Sequence, residues 1–490
     1  MTSRVATAIS IPFTEWVDAN AERFIERLKE AVAIPSISGD SARRDDVFNM
    51  AHWLDGQLKS LGVDTKLVDL GTQNVDGKEI PLPPALLGQI GDFTSEAGKK
   101  KKTILIYGHF DVQPASKSDG WDSDPFVLTT VGDKLVGRGS TDDKGPILGW
   151  LNVLQYHHDN QKELPVNLKF CFEGMEESGS EGLDDLIVKE AKGYFAGVDY
   201  VCISDNYWLN DRTPVLTYGL RGLCYFSVTV SGPAWDLHSG VFGGTVYEPM
   251  TDLVTLLSKL VDNKGKILIP GVVDRVPSVT SEEIKLYEKL DYSIADIDKA
   301  VGAPIALSSD KVEVLMGRMR NPSLSLHGIE GAFSGEGAKT VIPAKVSGKF
   351  SIRLVPDQDP KEINKLVKVY LESEFAKLNS KSKLEVKPLS DGKPWVADYK
   401  NPNYEAARVA TLLVYGKEPD FTREGGSIPV TLTFSDALGV NVLLLPMGRG
   451  DDGAHSTNEK LNRSNFIEGT KLLGLYLYEI GASINIDPKY

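Results

Sequence analysis

Cysteine is scarce in this 490-residue chain: Cys171, Cys202 and Cys224 are the only three, and no two form a CxxC pair. That argues against a disulfide framework or a structural zinc knuckle and fits buried thiols in a reducing compartment. No run of about 18 apolar residues occurs, so no membrane span is predicted. Positive charge is also short, with 54 Lys plus Arg against 68 Asp plus Glu and a net charge of −14. So acidic a surface repels phosphate backbones and anionic lipid, and neither nucleic acid nor membrane is expected as a partner. G-x-S-x-G, H-E-x-x-H and P-loop motifs are missing. A G-x-G-x-x-G match at Gly448–Gly453 would set two aspartates against a pyrophosphate and lacks the context of a first βα turn, so it carries no dinucleotide reading. The first ten residues have one Arg and no hydrophobic segment; they read as an irregular terminus, with a weak mitochondrial presequence as the alternative.

What is present is an ordinary globular composition, 41% hydrophobic and 25% charged, long enough for two large units or about three smaller ones. Apolar spacing predicts helices over 14–32 and 44–61, and the lysines at 99–102 read as a solvated hairpin tip. Three short apolar runs, 103–107, 167–172 and 200–203, each lead into acids or a histidine, with helical patterns at 146–157 and 183–191 between them. Strands alternating with helices predict an α/β fold: a mixed, mostly parallel sheet with helices on both faces. Residues 224–230 and 345–354 instead alternate strictly, the mark of an antiparallel sheet with one wet face. A smaller α+β domain is therefore expected at 217–390, inserted into a main domain formed by 1–216 and 391–490. The main domain resumes with a strand at 441–445 and closes with a helix over 464–480.

Ligands gather beyond the carboxyl ends of strands in such sheets, and polar residues collect there. In Gly108-His109-Phe110-Asp111, positions i and i+2 share a side, so Asp111 could orient His109 as a metal ligand or simply pair with it at the surface. Asp142-Asp143 open a helix, as caps or as ligands. Glu176-Glu177 are either two solvated acids or a pair in which one binds a cation while a proton shuttles on the other. Asp205 ends the third strand, and His455 sits in Asp451-Asp452-Gly-Ala-His-Ser-Thr-Asn-Glu459; the chain has only seven histidines. Together His109, Asp142, Glu177, Asp205 and His455 make a mixed N/O set that suits zinc or manganese better than calcium or copper. Five ligands exceed the needs of one catalytic zinc, and sharing Asp142 between two ions resolves the count.

The segments YGHFDVQP, GRGSTDDKGP, CFEGMEESGS, CISDNYWL, DLHSG, AKTVIPAKVSGKFSIRLVPD, TREGGSIPVTLTF and DDGAHSTNEK follow in this order along nearly the whole chain. In them the sequence resembles the di-metal dipeptidases of the carnosinase and cytosolic non-specific dipeptidase type, and within these the Cys-Gly metallodipeptidases. The resemblance implies a metallo-aminopeptidase-like catalytic domain, an inserted lid domain that mediates homodimerisation, and a cytoplasmic location. It implies His109, Asp142, Glu177, Asp205 and His455 as ligands of two Zn2+ or Mn2+ ions, with Asp142 bridging and a cis peptide between Asp142 and Asp143. It further implies Glu176 as general base toward a water bridging the metals, Asp111 as the acid orienting His109, and His238 as a lid histidine reaching the neighbouring subunit's site. Thr340, Arg353 and Ser427 match positions that hold the substrate's polar ends. The implied activity is hydrolysis of dipeptides with free termini, including Cys-Gly from glutathione breakdown. The rivals are N-acyl amino acid deacylation or carboxypeptidase action on the same scaffold, and a catalytically silent binding subunit.

Overall fold

A computed structural model describes residues 4–75 and 77–482. The chain forms two compact units. One takes the described residues of Met1–Tyr218, Ala397–Thr422 and Thr433–Tyr490; the other takes Gly219–Val396 and Arg423–Leu432. The second unit thus extends past the expected 390 boundary and recovers Arg423–Leu432, which had been placed in the main domain. A ten-residue return of this kind has no composition of its own to mark it.

The first unit is built on a sheet ordered Asp64–Val68, Ala85–Ile90, Asn167–Glu173, Thr103–His109, Tyr200–Ile203, Asn441–Leu444, Val215–Leu220. Its four central strands, Asn167–Glu173 through Asn441–Leu444, are mutually parallel, and antiparallel strands flank them. All seven residues of Thr103–His109 and of Asn167–Glu173 are buried, which is why these runs are apolar without alternation. Successive side chains of the first strand enter different layers: Ile104 and Ile106 join the main core, while Tyr107 meets Phe434 edge-on, ring centroids 5.8 Å apart. Helices Lys144–Asp159, Pro402–Tyr415 and Arg463–Ala482 pack together in that core.

Local expectations fail at three points. The expected first helix is two, Arg4–Ala19 and Ala21–Val32, broken at Asn20, whose side chain donates to Trp16 O at 2.9 Å. Helix already begins at Arg4, so the terminus read as irregular is helical over its described part. The lysines at 99–102 form no hairpin tip, because strand Asn167–Glu173 lies between the two strands they connect. Lys101 and Lys102 pair with Glu163 and Asp199 instead.

In the second unit, Ser323–Glu330, Lys345–Leu354, Gly222–Ser231 and Lys383–Gly392 form an antiparallel sheet in that order. Gly222–Ser231 alternates perfectly between buried and half-buried positions, as the sequence pattern demands. Phe226 and Phe350 stack across its buried face at 4.9 Å, under helices Pro249–Leu257 and Pro360–Lys377. No helix among the described residues is long and apolar enough to cross a membrane.

His157, buried in the first unit, donates from Nδ1 to Lys162 O and accepts from the Tyr478 hydroxyl at Nε2, both at 3.2 Å. Burial pushes its pKa down to about 4, against about 6.5 for a free imidazole. The unfolded chain therefore takes up this proton first, and stability is lost as pH falls from about 6.5 to about 4. Urea midpoints across that window are expected to fall less steeply in His157→Phe than in the wild type.

Candidate metal centre

The carboxyl ends of the parallel strands deliver the acids and imidazoles to one place. Strand Thr103–His109 ends on His109, and Asn167–Glu173 runs into the 3₁₀ turn Glu176–Ser178 that carries Glu176 and Glu177. Tyr200–Ile203 stops two residues before Asp205, and the fourth strand, Asn441–Leu444, leads into the loop bearing His455, whose backbone is left-handed (φ 62°). Asp142 precedes helix Lys144–Asp159 and is joined to Asp143 by a cis peptide bond.

His109 Nδ1 lies 3.1 Å from the backbone oxygen of Asp111 and 3.3 Å from its Oδ1. That proton commitment turns the Nε2 lone pair toward Asp142 Oδ1 (3.1 Å) and Asp205 Oδ1 (3.7 Å). On the other side, His455 Nε2 lies 3.1 Å from Asp142 Oδ2 and 3.0 Å from Glu177 Oε2. Each oxygen of Asp142 thus belongs to a separate group, His109–Asp142–Asp205 and Asp142–Glu177–His455, whose ligand atoms lie within 4.8 Å of one another. An imidazole lone pair facing carboxylate oxygens is repulsive unless a proton or a cation stands between them. Ligands about 2.0–2.2 Å from a tetrahedral zinc stand roughly 3.3–3.5 Å apart, so the observed spacings fit an ion in each group.

Glu176 belongs to neither group. Burial, then the nearby acids Asp205, Asp111 and Glu177, hold its carboxyl well above the usual range against the pull of His109. Burial also raises Asp205, to about 6, against His109. Asp142 goes the other way: against its burial, the closeness of the two imidazole rings holds it well below the ordinary value. His455 is raised to about 10 by Asp142 and Glu177.

Supporting contacts fix this arrangement. The fully buried Asp111 carboxylate accepts the backbone N–H groups of Glu176 (3.2 Å) and Glu177 (3.1 Å), so one side chain holds both the His109 ring and the Glu176 turn. Asp143 makes no side-chain cap on the helix it opens; its Oδ2 takes the His109 N–H at 3.2 Å, which removes the capping alternative for this residue. Gly108 allows that approach, since a Cβ there would stand 2.6 Å from Asp143 Oδ2. Sequence reasoning missed Gln113, which donates to Glu177 Oε2 at 2.8 Å, and Glu459. Glu459 is fully buried and accepts the N–H groups of Gly139 (3.1 Å), Thr141 (3.0 Å) and Asp142 (3.2 Å) and Arg138 Nη1 (2.7 Å). Its place four residues after His455 was the only available signal. Buried Lys144 donates to the carbonyls of Ala31 (2.9 Å) and Ile34 (2.7 Å), while Ser36 bonds Phe110 O (2.6 Å), anchoring the segment after His109.

His238, Thr340, Arg353 and Ser427 all lie in the second unit. Leu237–His238 pairs with Val341–Ile342, and Ser239 N donates to Thr340 O at 3.1 Å, so His238 and Thr340 are close in space. His238 is exposed, and its Nδ1 accepts Gly240 N–H at 2.9 Å, leaving Nε2 to carry the proton.

The profile of Peptidase family M20/M25/M40 matches residues 105–479. The chain belongs to that family. It is 55% identical over 475 residues to the Cys-Gly metallodipeptidase DUG1 of Candida albicans, covering 96% of this chain and 97% of the relative. It is 45% identical over 469 residues to the Beta-Ala-His dipeptidase of Homo sapiens, 95% and 92% of the two chains. The solved di-peptidase Dug1p of Saccharomyces cerevisiae superposes with a TM-score of 0.89 at 50% identity, covering 98% of this chain and 99% of that one. The chain is accordingly a hydrolase of peptide bonds, of the metallodipeptidase class.

Because Glu459 holds the backbone at Asp142, Glu459→Gln is expected to weaken divalent-cation binding by about 10–100-fold, the usual effect of losing an outer partner. Calorimetric titration of chelator-stripped protein checks this, and unaltered affinity would show that the 139–142 turn needs no such support.

Proposed function

We propose that this chain is a homodimeric, cytoplasmic di-metal dipeptidase that hydrolyses dipeptides with free termini, Cys-Gly among them. The observation that carries the reading is the pair of three-residue donor groups sharing Asp142, with Glu176 beside both and part of neither. His109, Asp142 and Asp205 would hold one ion, and Asp142, Glu177 and His455 the other. Zinc and manganese both suit imidazole and carboxylate donors. The names of the relatives favour Cys-Gly, and three free, buried cysteines fit a reducing compartment.

When bound, the two cations would acidify a water molecule and polarise the scissile carbonyl. Glu176 accepts the water's proton as its oxygen attacks the carbonyl carbon, then returns that proton to the departing amine. Asp111 keeps the Glu176 turn and the His109 ring in register throughout. His238, supplied by the partner subunit as in the family pattern, presents its Nε2–H to the developing oxyanion. Arg353 pairs with the C-terminal carboxylate through two parallel hydrogen bonds, and Thr340 and Ser427 hold the remaining polar ends.

Glu176→Ala is expected to keep two metals per chain by elemental analysis while kcat on Cys-Gly drops by about 10²–10⁴-fold, the range for a lost general base. Near wild-type turnover would refute the assignment. A chelated enzyme should lose activity on Cys-Gly and regain it with individual metals, and a panel of Cys-Gly, β-Ala-His, a tripeptide and an N-acetyl amino acid separates dipeptidase from deacylase or carboxypeptidase action. Mixing inactive His238→Ala with inactive Glu176→Ala should restore some activity, because each mixed dimer contains one intact site. No recovery after proven subunit exchange would refute the shared site.

A further inference from the structure

The second unit concentrates arginines where the first concentrates acids. Arg221 is the most constrained of them. Its Nε donates to Gly425 O (3.2 Å), and its Nη1 to Gly317 O (3.3 Å), Asn321 O (3.3 Å) and Ser323 Oγ (3.1 Å). Its backbone N–H is shared between Glu424 O and Gly426 O, both at 3.2 Å. One residue therefore ties the turn between helix Lys311–Met319 and strand Ser323–Glu330 to the loop immediately before Ser427. The loop lies flat on the guanidinium: a Cβ at Gly425 would stand 2.9 Å from both Arg221 Nη2 and Arg318 O.

Every acceptor of the Arg221 side chain is electrically neutral. The charges that bear on it are mostly of its own sign: burial, then Arg353, and also Arg318, lower its pKa to about 10, with Glu424 the opposing acid. Glu424 already receives the Gly425 N–H at 2.8 Å. Arg353 pairs across the strands with Ser323, the residue that accepts from Arg221 Nη1; it is half-buried, and its side chain has no hydrogen-bond or ion-pair partner among the described residues, while burial lowers its pKa and Glu424 opposes. A half-buried cluster with surplus positive charge is costly in itself, and an anion relieves it. Arg353 has its planar fork of donors uncommitted, whereas Arg221 has spent its Nε and Nη1 donors on the walls.

We propose that Arg221 is a positioning residue for the substrate's free carboxylate: it holds the Gly425–Ser427 loop beside Arg353 and supplies the extra positive charge that makes this subsite select a carboxylate over a neutral amide. The inference rests on the dipeptidase reading above and adds the group that sets its C-terminal selectivity. Arg353 makes the contact; Arg221 shapes and charges the surroundings.

The test compares the KM of Ala-Gly with the inhibition constant of Ala-Gly amide in the wild type, Arg221→Met and Arg221→Lys. In Arg221→Met the KM of the dipeptide should rise by about tenfold, the scale of a weakened charge-assisted contact, while the amide constant changes far less. Arg221→Lys, which keeps the charge and loses the fork, should recover part of the discrimination. A merely structural role would weaken dipeptide and amide alike. Should Arg221→Met fail to fold, Ser323→Ala, which removes one acceptor of the guanidinium, decides together with Arg221→Lys. An unchanged dipeptide-to-amide ratio in the folded variants overturns the inference. A wild-type protein that cleaves no dipeptide overturns instead the reading on which it rests.

Discussion

The structure turns on one carboxylate serving two neighbours. Asp142 offers one oxygen to His109 and Asp205 and the other to His455 and Glu177, and no other residue belongs to both groups. Bringing so many acids into a buried space is unfavourable by itself, since each raises the free energy of its neighbours' charge. Two divalent cations reverse that sign. The remaining architecture is explicable as the means of holding these acids together. Parallel strands aim their carboxyl ends at one spot, Asp111 gathers two backbone N–H groups and a ring nitrogen, and Asp143 supports the strand end at His109.

Most of the centre was legible because its residues stand where simple patterns break. Apolar runs ending in His109, near Glu176-Glu177 or just before Asp205 mark the carboxyl ends of buried strands, and this needs no knowledge of tertiary contacts. The alternation at 224–230 likewise revealed a sheet with one wet face. Sequence pattern could not show which acids meet. That Asp143 supports His109 rather than capping its own helix depends on a fold-wide approach between residues 34 positions apart. Glu459 stands in the same motif as His455 but its task is invisible in the sequence, because its four donors come from residues 138–142, more than 300 positions earlier. The return of Arg423–Leu432 to the second unit escaped for a related reason: it is set by tertiary contacts, while the local composition continues unchanged.

The two units have opposite electrostatic character at their chemically interesting places. The first gathers carboxylates suited to cations, and the second gathers guanidinium groups suited to an anion. Net charge alone, at −14, conveyed none of this.

The grip of Glu459 on the 138–142 turn also bears on when the molecule comes to life. The turn is synthesised early, but its buried anchor comes off the ribosome more than 300 residues later, together with His455. Until that late segment emerges, the Asp142 loop has neither its support nor its second imidazole. The geometry around Asp142 therefore cannot form until residues 455–459 have been made.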